Sequence, residues 1–391
     1  MFKLAVVAVA AAVVVVASLV SARRPKWDQL EGYSFERFMD DFNKPYKFGT
    51  QDYKLRKHTF LTNLKKIRDH NKDLSHTWRM GVNQFTDMTP AEWKRFNGFK
   101  RSPYRDAPEY KAIHKVWEPA TRDGLPFEID WRSSLSDVKS QGSCGCCWAC
   151  SATETLEFYH YQLTGMKAEL SFDQVNTCTP APISYGCDGG DYSGAWAWIN
   201  ATAHAISEEW PLGFRNFFFP TTGEHPTAPC LNLTAMIPKV YHSWFAYLTL
   251  VGVDGLVSIK PNDATALLKA LAEIGPQSIS VAAGNWQWYE SGVMKNTDAN
   301  GKANEWEIDH AVQLVGAGFD KELGEKDGYY WLVRNSWTTN WGDNGYIRLW
   351  RAPPGEQEPC GPAEFGPCCG TSGILCDAAH PIVKKLKPLH F

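Results

Sequence analysis

The sequence lacks an excess of positive charge. Its 40 Lys and Arg residues face 43 Asp and Glu residues, and the basic residues are scattered rather than gathered into stripes. Binding to a phosphate backbone depends on a basic surface. We therefore expect no nucleic-acid partner.

The sequence also lacks long apolar runs after its first twenty residues. The run from Leu4 to Val20 follows a single Lys and precedes small residues, which predicts a signal peptide over residues 1–22. An uncleaved anchor is the alternative, because Arg23 and Arg24 follow directly, although the run is short for a span. No later segment is apolar enough to predict a membrane span.

Cysteine, in contrast, is plentiful. Eleven Cys are more than a reduced cytosol usually hosts, and the odd number leaves at least one thiol unpaired. We expect the secretory pathway, with a lysosome, a vacuole or the extracellular space as destination. Asn200-Ala201-Thr202 and Asn232-Leu233-Thr234 are then candidate glycosylation acceptors.

The region after the apolar run has the periodicity of two helices. Phe35, Phe38, Met39 and Phe42 draw one apolar stripe, and a second set spaced by three or four residues shares one helix face. The second set is Asp52, Arg56, Phe60, Asn63, Ile67 and Asn71. Spacing alone predicts only an amphipathic helix that packs on its neighbour.

The same residues carry a family resemblance. The second set resembles the interspersed Glu-Arg-Phe-Asn-Ile-Asn pattern of cathepsin L-like proenzymes, with Asp52 in place of Glu, and residues 81–87 resemble their Gly-Asn-Phe-Asp signature. The resemblance implies an inhibitory prodomain over residues 23–123, acting on a peptidase domain over residues 124–391. Its tail, at residues 101–124, would lie along the active-site cleft against the direction of a substrate.

The segment from Gln141 to Trp148 contains the candidate nucleophile. Apolar residues keep helical spacing from Cys147 until Gly165, so Cys147 is predicted at a helix N-terminus. Unpaired backbone N–H groups and the helix dipole favour a thiolate there. A thiolate is the form that attacks a peptide carbonyl.

Other interpretations of these cysteines exist. Cys144, Cys147 and Cys150 repeat every third residue, as in a zinc or iron–sulfur site, and a structural disulfide cluster is also conceivable. A metal site leaves His310 and Asn335 without a role, so we expect neither metal nor cofactor.

The segment resembles the active-site sequence of papain and cathepsin L. The resemblance implies that Cys147 is the nucleophile and that the side-chain amide of Gln141 stabilises the oxyanion. Cys146 and Cys150 depart from the family pattern, as buried free thiols or as extra bridge partners. Their proximity leaves a shifted nucleophile open, although the position of Trp148 favours Cys147.

Two later segments supply the predicted partners of the nucleophile. Asp309-His310-Ala311-Val312 begins an alternating apolar strand and resembles the context of the family's catalytic His. An aromatic strand ends at Asn335-Ser336-Trp337, which is similar to the family's Asn-Ser-Trp segment. By resemblance, His310 is the base, Asn335 orients its ring, and Trp337 shields that bond from water.

The resemblance also implies disulfides and a substrate cleft. It pairs Cys144 with Cys187 and Cys178 with Cys230, and it places Gly189 and Gly190 where a substrate backbone approaches. A third family bridge is missing, since Ser372 replaces its first Cys. The remaining cysteines would pair among themselves or with the two departures already named; they are Cys360, Cys368, Cys369 and Cys376.

The same alignment places Asp377 at the floor of the main specificity pocket. Its predicted walls are Tyr192, Ser280, Ile308 and Ala311. A buried carboxylate gains from pairing with Arg or Lys, which predicts that basic side chains are accepted besides apolar ones. The alternative is an Asp377 side chain that points to solvent.

Together these features predict an α+β, papain-like fold of a helical and a β-barrel-like domain, preceded by a small helical prodomain. The expected function is a monomeric cysteine endopeptidase, made as an autoinhibited zymogen that cleaves peptides and proteins. Cystatin-like proteins are candidate inhibitors. An exopeptidase is disfavoured, because no His-bearing insertion lies near Cys187. The alternative is a catalytically silent homologue acting as a binding or storage protein.

Overall fold

The structure is a computed structural model that describes residues 24–202, 205–207, 250–295, 306–366 and 368–384. The predicted signal peptide, Cys230 and Asn232 lie outside these residues. Within the described ranges, no helix is long and apolar enough to cross a membrane.

The described residues form helices and strands in the following order. The α-helices are α1 (Phe35–Asp41), α2 (Gln51–Lys72), α3 (Pro90–Phe96), α4 (Pro108–Ile113), α5 (Cys147–Thr164), α6 (Phe172–Cys178), α7 (Tyr192–Thr202), α8 (Ala264–Glu273) and α9 (Gly324–Asp327). The strands are β1 (Trp78–Met80), β2 (His114–Trp117), β3 (Ile129–Asp130), β4 (Ile206–Ser207), β5 (Leu250–Ile259), β6 (Gln277–Val281), β7 (Tyr289–Met294), β8 (His310–Phe319), β9 (Tyr329–Arg334), β10 (Tyr346–Trp350) and β11 (Ala378–Lys384).

Helices α1 and α2 confirm the two helices predicted for the prodomain. Each begins at a hydroxyl cap, since the side chains of Ser34 and Thr50 accept hydrogen bonds from backbone N–H groups three residues later. Phe38 and Phe60 are fully buried, and their rings stack 4.6 Å apart. The apolar stripes of the two helices therefore form a small core of their own.

The patterned face of α2 holds the chain that follows it. Arg56 forms a two-pronged ion pair with Glu92, at 2.8 and 2.6 Å. Asn63 Nδ2 donates to the Thr86 carbonyl, and Asn71 exchanges two hydrogen bonds with the backbone of Met80. The spacing of these residues thus positions residues 78–92, which carry the second prodomain signature.

One sheet joins the prodomain to the rest of the chain. Its strand order is β1-β7-β10-β9-β8-β6-β11-β5-β2, with β3 paired to β8 and β4 paired to β5. Strands β1 and β2 come from the predicted prodomain and lie at the two ends of this order. Both edges are therefore covered by chain that precedes the predicted peptidase domain.

The predicted peptidase domain has two apolar cores. One lies around α8 and strands β6 to β10, and the other lies around α5, α6 and α7. Helix α5 ends at Gly165, whose φ of +75° suits a glycine, as predicted. A helical half and a sheet-rich half confirm the expected α+β fold, and α5 packs against β8 between them.

The predicted tail at residues 101–124 differs from expectation. Instead of an irregular segment it contains a 3₁₀ turn at Pro103–Asp106, helix α4 and strand β2. Tyr110 of α4 is buried in the helical core, where its hydroxyl donates to Ser193 Oγ. Short elements capped by proline carry too few residues for a periodicity to be visible in the sequence.

Candidate active site

Cys147 is the first residue of α5, as predicted, and it is fully buried. Burial raises the pKa of its thiol to about 12, and hydrogen bonds from the backbones of Ala311 and Gly98 oppose that rise only in part. The thiolate that catalysis requires is therefore disfavoured in this covered form of the protein. The physical reason is that chain from the predicted prodomain excludes water from the sulfur.

His310 begins β8 and is held by Asn335. Its Nε2 lies 2.9 Å from Asn335 Oδ1, and the ring of Trp337 stacks on the imidazole at 4.6 Å. Burial lowers the pKa of His310 to about 4, and the bond to Asn335 raises it only in part, so the ring is neutral at neutral pH. Because Nε2 is engaged, Nδ1 is the nitrogen left for the thiol; it has no partner among the described residues.

Both the oxygen and the nitrogen of the Gln141 side-chain amide are held by hydrogen bonds. Its Oε1 accepts hydrogen bonds from Ser336 Oγ at 2.8 Å and from Trp337 Nε1 at 2.9 Å. Its Nε2 donates to the carbonyls of Cys144 and Phe96, at 2.8 and 3.0 Å. The predicted oxyanion donor thus already binds a backbone carbonyl of the N-terminal region.

Residues 97–100, which follow α3, cross the site as an extended segment. The Gly190 N–H donates to the Gly98 carbonyl and the Lys100 N–H donates to the Gly190 carbonyl, both at 2.9 Å. The Phe99 N–H donates to the Asp309 carbonyl at 2.8 Å, and Phe99 pairs with Gly190 in parallel. The segment that covers Cys147 therefore begins before residues 101–124, where the tail was predicted.

The close approach of this segment depends on missing side chains. A Cβ on Gly98 would lie 1.7 Å from the Gly145 carbonyl oxygen, and one on Gly189 would lie 2.6 Å from the Gly98 oxygen. A Cβ on Gly190 would meet the Trp148 ring at 2.6 Å. Two backbones can pair here only because these positions are glycine, which is the reason the sequence suggested for Gly189 and Gly190.

The predicted walls of the specificity pocket come together in the structure. The Tyr192 hydroxyl and the Ser280 N–H both donate to the Asp377 carbonyl, at 3.0 and 3.1 Å. Ala311 lies opposite Ser280 in the β6–β8 pair, and Ile308 packs against the helical core. The ring of Phe99 stacks on that of Tyr192 at 5.6 Å, so the crossing segment places an aromatic side chain at this pocket.

Asp377 does not point to solvent. Its side chain is 11% exposed and lies 2.8 Å from Arg105, while the exposed Arg101 is 3.9 Å away. Arg105 also binds Asp191, and sequence reasoning missed both residues. An acidic residue directly before a helix is a capping signal that pointed to Asp191; nothing in the polar tail distinguished Arg105.

The structure gives the pairing of most cysteines whose partners the sequence left undecided. Cys144 is bonded to Cys187, as predicted. Cys360 pairs with Cys369, and Cys368 pairs with Cys376, so these four pair among themselves. Cys146 and Cys150 are buried free thiols in the described part of the chain. The predicted bridge from Cys178 involves Cys230, which is not among the described residues.

Two further predicted features are placed by the structure. Asn200 lies in α7, where its side-chain amide already donates to the Val253 carbonyl at 2.9 Å. Among the described residues, no group of three or more His, Cys, Asp or Glu side chains is arranged to hold a metal ion.

The chain matches two family models in succession. Residues 35–93 match the cathepsin propeptide inhibitor domain and residues 125–364 match the papain family cysteine protease. A probable cysteine protease RDL3 of Arabidopsis thaliana is 32% identical over 81% of this chain and 76% of its own length. A cathepsin L-like protein of Caenorhabditis elegans is 30% identical over 90% of this chain and 95% of its own length.

Solved proenzymes share the fold. Procathepsin L 3 from the larval midgut of Tenebrio molitor superposes with a TM-score of 0.66 at 23% identity, covering 89% of this chain and 97% of that one. A recombinant stem bromelain precursor superposes with a TM-score of 0.64 at 25% identity, covering 90% and 98%. Because an inhibitor domain precedes the peptidase domain and the chain that follows it covers the cleft, the chain belongs to the papain family of cysteine proteases and is a zymogen of that family.

Proposed function

We propose that this zymogen becomes an endopeptidase in which Cys147 is the nucleophile and His310 its base. Asn335 orients the imidazole, and Gln141 stabilises the oxyanion together with the Cys147 N–H. The proposal rests on the hydrogen bond that Gln141 Nε2 donates to the Phe96 carbonyl, 3.0 Å away, beside the segment that covers Cys147. The inhibitory chain thus occupies the donor that a substrate carbonyl requires.

Release of residues 96–100 from the cleft activates Cys147 and His310. Water then enters the cleft, so the burial that raises the pKa of Cys147 and lowers the pKa of His310 is relieved. The helix N-terminus favours the thiolate, and the thiol proton passes to His310. The two groups are neutral in the zymogen and become an ion pair in the open enzyme.

The open site performs acyl transfer. The Cys147 sulfur forms a bond to the substrate carbonyl carbon, and the displaced electron pair moves to oxygen, where Gln141 and the Cys147 N–H donate. His310 gives its proton to the leaving amine, and the C–N bond breaks to leave an acyl-enzyme. Water, deprotonated by His310, then attacks the acyl carbon, and the C–S bond breaks to release the acid product and return the Cys147 thiolate.

An epoxysuccinyl inhibitor tests the assignment. After acid activation we expect one label per chain, on Cys147, and loss of both labelling and peptide cleavage in Cys147→Ser. Cys146→Ser and Cys150→Ser are matched controls, because both are buried free thiols beside the nucleophile. A folded mature form that takes no label supports the silent homologue, and a label on Cys146 shifts the nucleophile by one residue.

The segment boundaries are also part of the proposal. We place the signal peptide at residues 1–22, the prodomain at 23–123 and the peptidase at 124–391. The matched family regions support this division, as does the exposure of most residues between Glu118 and Glu128. Mass spectrometry of the secreted and activated forms measures both ends; a mature chain that begins before residue 118 contradicts the second boundary.

The secretory pathway is the proposed location, ending in a lysosome, a vacuole or the extracellular space. The three disulfides among the described residues support an oxidising compartment. We further propose a monomer that cystatin-like proteins inhibit. Fractionation, light scattering of the activated enzyme and inhibition by a cystatin test these three statements separately.

The specificity pocket of the mature enzyme is proposed to comprise Tyr192, Ser280, Ile308, Ala311 and Asp377. Its support is the stacking of Phe99 on Tyr192 in the zymogen, which shows that an aromatic side chain fits beside these residues. We propose that the pocket accepts apolar side chains. A library of fluorogenic peptides measures this, and equal rates for Phe, Leu and Gly at the variable position contradict it.

A further inference from the structure

Arg105 is the most deeply buried cation at the boundary between prodomain and peptidase. Its side chain is 7% exposed, yet it lies in the polar tail of the prodomain. Nε and Nη2 donate to the two carboxylate oxygens of Asp191 at 2.5 and 2.6 Å, and Nη1 donates to Asp377 at 2.9 Å. The guanidinium carbon lies 5.6 Å from the centre of the Tyr192 ring.

The peptidase domain supplies both carboxylates and the ring of Tyr192, and it makes most of the other hydrogen bonds to Asp191. Asp191 precedes α7, and its Oδ1 accepts hydrogen bonds from the Ser193 N–H, the Ser193 hydroxyl and the Gly194 N–H. One further contact, from the Ser102 N–H to Oδ2, belongs to the prodomain. The backbone carbonyl of Asp377 is held separately by Tyr192 and Ser280, so the peptidase domain itself positions Asp191 and the backbone of Asp377.

We propose that Asp191, Asp377 and Tyr192 form a guanidinium-binding site, which binds an arginine side chain of the peptide substrate once Arg105 is removed. This inference rests on the proposed function. Two carboxylates buried without a cation are unfavourable, so the vacated site attracts a positive charge. The paired oxygens of Asp191 match the planar fork of arginine, which the point charge of lysine does not reproduce.

The site is within reach of the cleft. The ring of Tyr192 contacts Phe99, whose backbone pairs with Gly190, and the same ring contacts Arg105. A substrate side chain that enters beside Tyr192, where Phe99 lies in the zymogen, is directed towards the two carboxylates. The exposed Arg101, 3.9 Å from Asp377, leaves with the prodomain and does not compete.

The test compares substrates that differ only in charge. Fluorogenic peptides with Arg, citrulline, Lys or Leu at the variable position are cleaved by the activated wild-type enzyme, with active sites counted by epoxysuccinyl labelling. Citrulline keeps the shape of arginine without its charge. We expect kcat/KM for Arg to exceed that for citrulline by at least about 10-fold, with Lys below Arg.

Variants locate the effect. Asp191→Asn keeps a capping oxygen and Asp377→Asn keeps the volume, and each should reduce the Arg-to-citrulline ratio several-fold. Asp254→Asn, an exposed carboxylate paired with Lys384, is the matched control and should leave the ratio unchanged. Equal rates for Arg and citrulline in the wild type overturn the inference without any variant.

Two other results are informative. If the enzyme is labelled and cleaves the Leu peptide but shows no arginine preference, the guanidinium site is wrong and the peptidase assignment stands. If mass spectrometry finds Arg105 still bound to the activated enzyme, the site is not vacated and the inference is also wrong. Failure to label or cleave any peptide counts against the proposed function instead.

Discussion

The prodomain contacts the peptidase through two regions of different chemistry. The sheet-side interface, residues 78–93, uses strand pairing of β1 with β7 and neutral hydrogen bonds such as Asn83 Nδ2 to the Gln287 carbonyl at 2.7 Å. The cleft-side interface, residues 96–117, includes a close backbone approach at Gly98 and the buried ion pairs of Arg105. We therefore expect the sheet side to contribute mainly to docking and the cleft side mainly to inhibition.

The chemical difference between the two interfaces predicts that docking and inhibition can be weakened separately. Sheet-side contacts pack Phe85 and Trp93 against Trp337, at ring distances of 5.8 and 4.9 Å. None of these side chains titrates, and apolar contacts respond little to salt. Cleft-side contacts instead surround Cys147 and His310, the proposed catalytic pair, so we expect a local change there to affect inhibition first.

The largest expected effect is steric and lies at the cleft side. In Gly98→Ala the new methyl carbon meets the Gly145 carbonyl, so residues 96–100 must move away from Cys147. Overpacking of this kind costs about 1–3 kcal/mol, which corresponds to about a 5- to 150-fold larger open population. Labelling of Cys147 in the uncleaved chain should accelerate by that factor.

Lys111→Ala is the control for this substitution. Its side chain is exposed in α4, and among the described residues its ion-pair partner is the exposed Asp106. Labelling of the uncleaved control should proceed at the wild-type rate. Unchanged labelling in Gly98→Ala would show that the close approach at Gly98 does not limit access to the nucleophile.

A second substitution weakens the sheet side without touching the cleft. Asn83→Ala removes the bond to the Gln287 carbonyl and the acceptor of the Phe85 N–H, both buried. Unsatisfied buried groups cost about 1–3 kcal/mol, so prodomain melting should occur at lower temperature and the loss should not depend on salt. Thermal unfolding at two salt concentrations measures this, with the exposed Gln51→Ala as control. A salt-dependent loss would contradict the neutral character of this interface.

More of the sheet side than of the cleft side could be predicted from the sequence. The face of α2 was predicted because a helix repeats its contacts every three or four residues. Residues 81–87, which are not helical, were predicted only through their resemblance to a prosegment signature. Cys147, His310, Asn335 and Gln141 were recognisable because each stands in a short local motif. Arg105 was not, since its partners Asp191 and Asp377 are 86 and 272 residues away in sequence, and no local pattern records a long-range ion pair.

Acid should weaken the sheet side through His70. This imidazole stacks on His76 at 4.0 Å, and its Nε2 lies 3.3 Å from the Trp78 carbonyl at the start of β1; Arg79 and Asp73 are the other charged groups near it. Burial, with the neighbouring His76, lowers the pKa of His70 to about 4. The unfolded chain therefore takes up a proton near pH 6.5 and the folded one only near 4, so stability falls across that interval.

His70→Phe should flatten this dependence. His70 is partly exposed, so solvent screening limits the expected change to below about 1 kcal/mol. Unfolding of a Cys147→Ser proenzyme, which cannot process itself, followed between pH 7 and pH 4 measures the slope. An equal slope in both proteins would assign the acid response to other groups, and His58→Phe in the same helix serves as the comparison.

The smallest expected effect concerns two groups of the cleft side, Asp309 and His310, whose protonation changes docking in opposite directions. Burial raises the pKa of Asp309 to about 6, against hydrogen bonds from the Ala283 N–H and the Asn97 amide. The docked form thus binds this proton more tightly, and docking gains stability as pH falls from about 6 towards 3.8. His310, with its pKa lowered to about 4, loses stability as pH falls from 6.5.

These two contributions oppose one another, so the cleft side should respond to acid less than either group alone. Asp309→Asn removes the stabilisation that protonation of Asp309 gives in acid, and it keeps an amide that pairs with Asn97. Docking in that variant should then weaken more steeply between pH 6 and pH 4, as followed by labelling of Cys147 in the uncleaved chain. A shallower pH dependence would mean that Asp309 in its charged form holds the prodomain in place, and that its loss in acid, rather than charging of His310, opens the cleft.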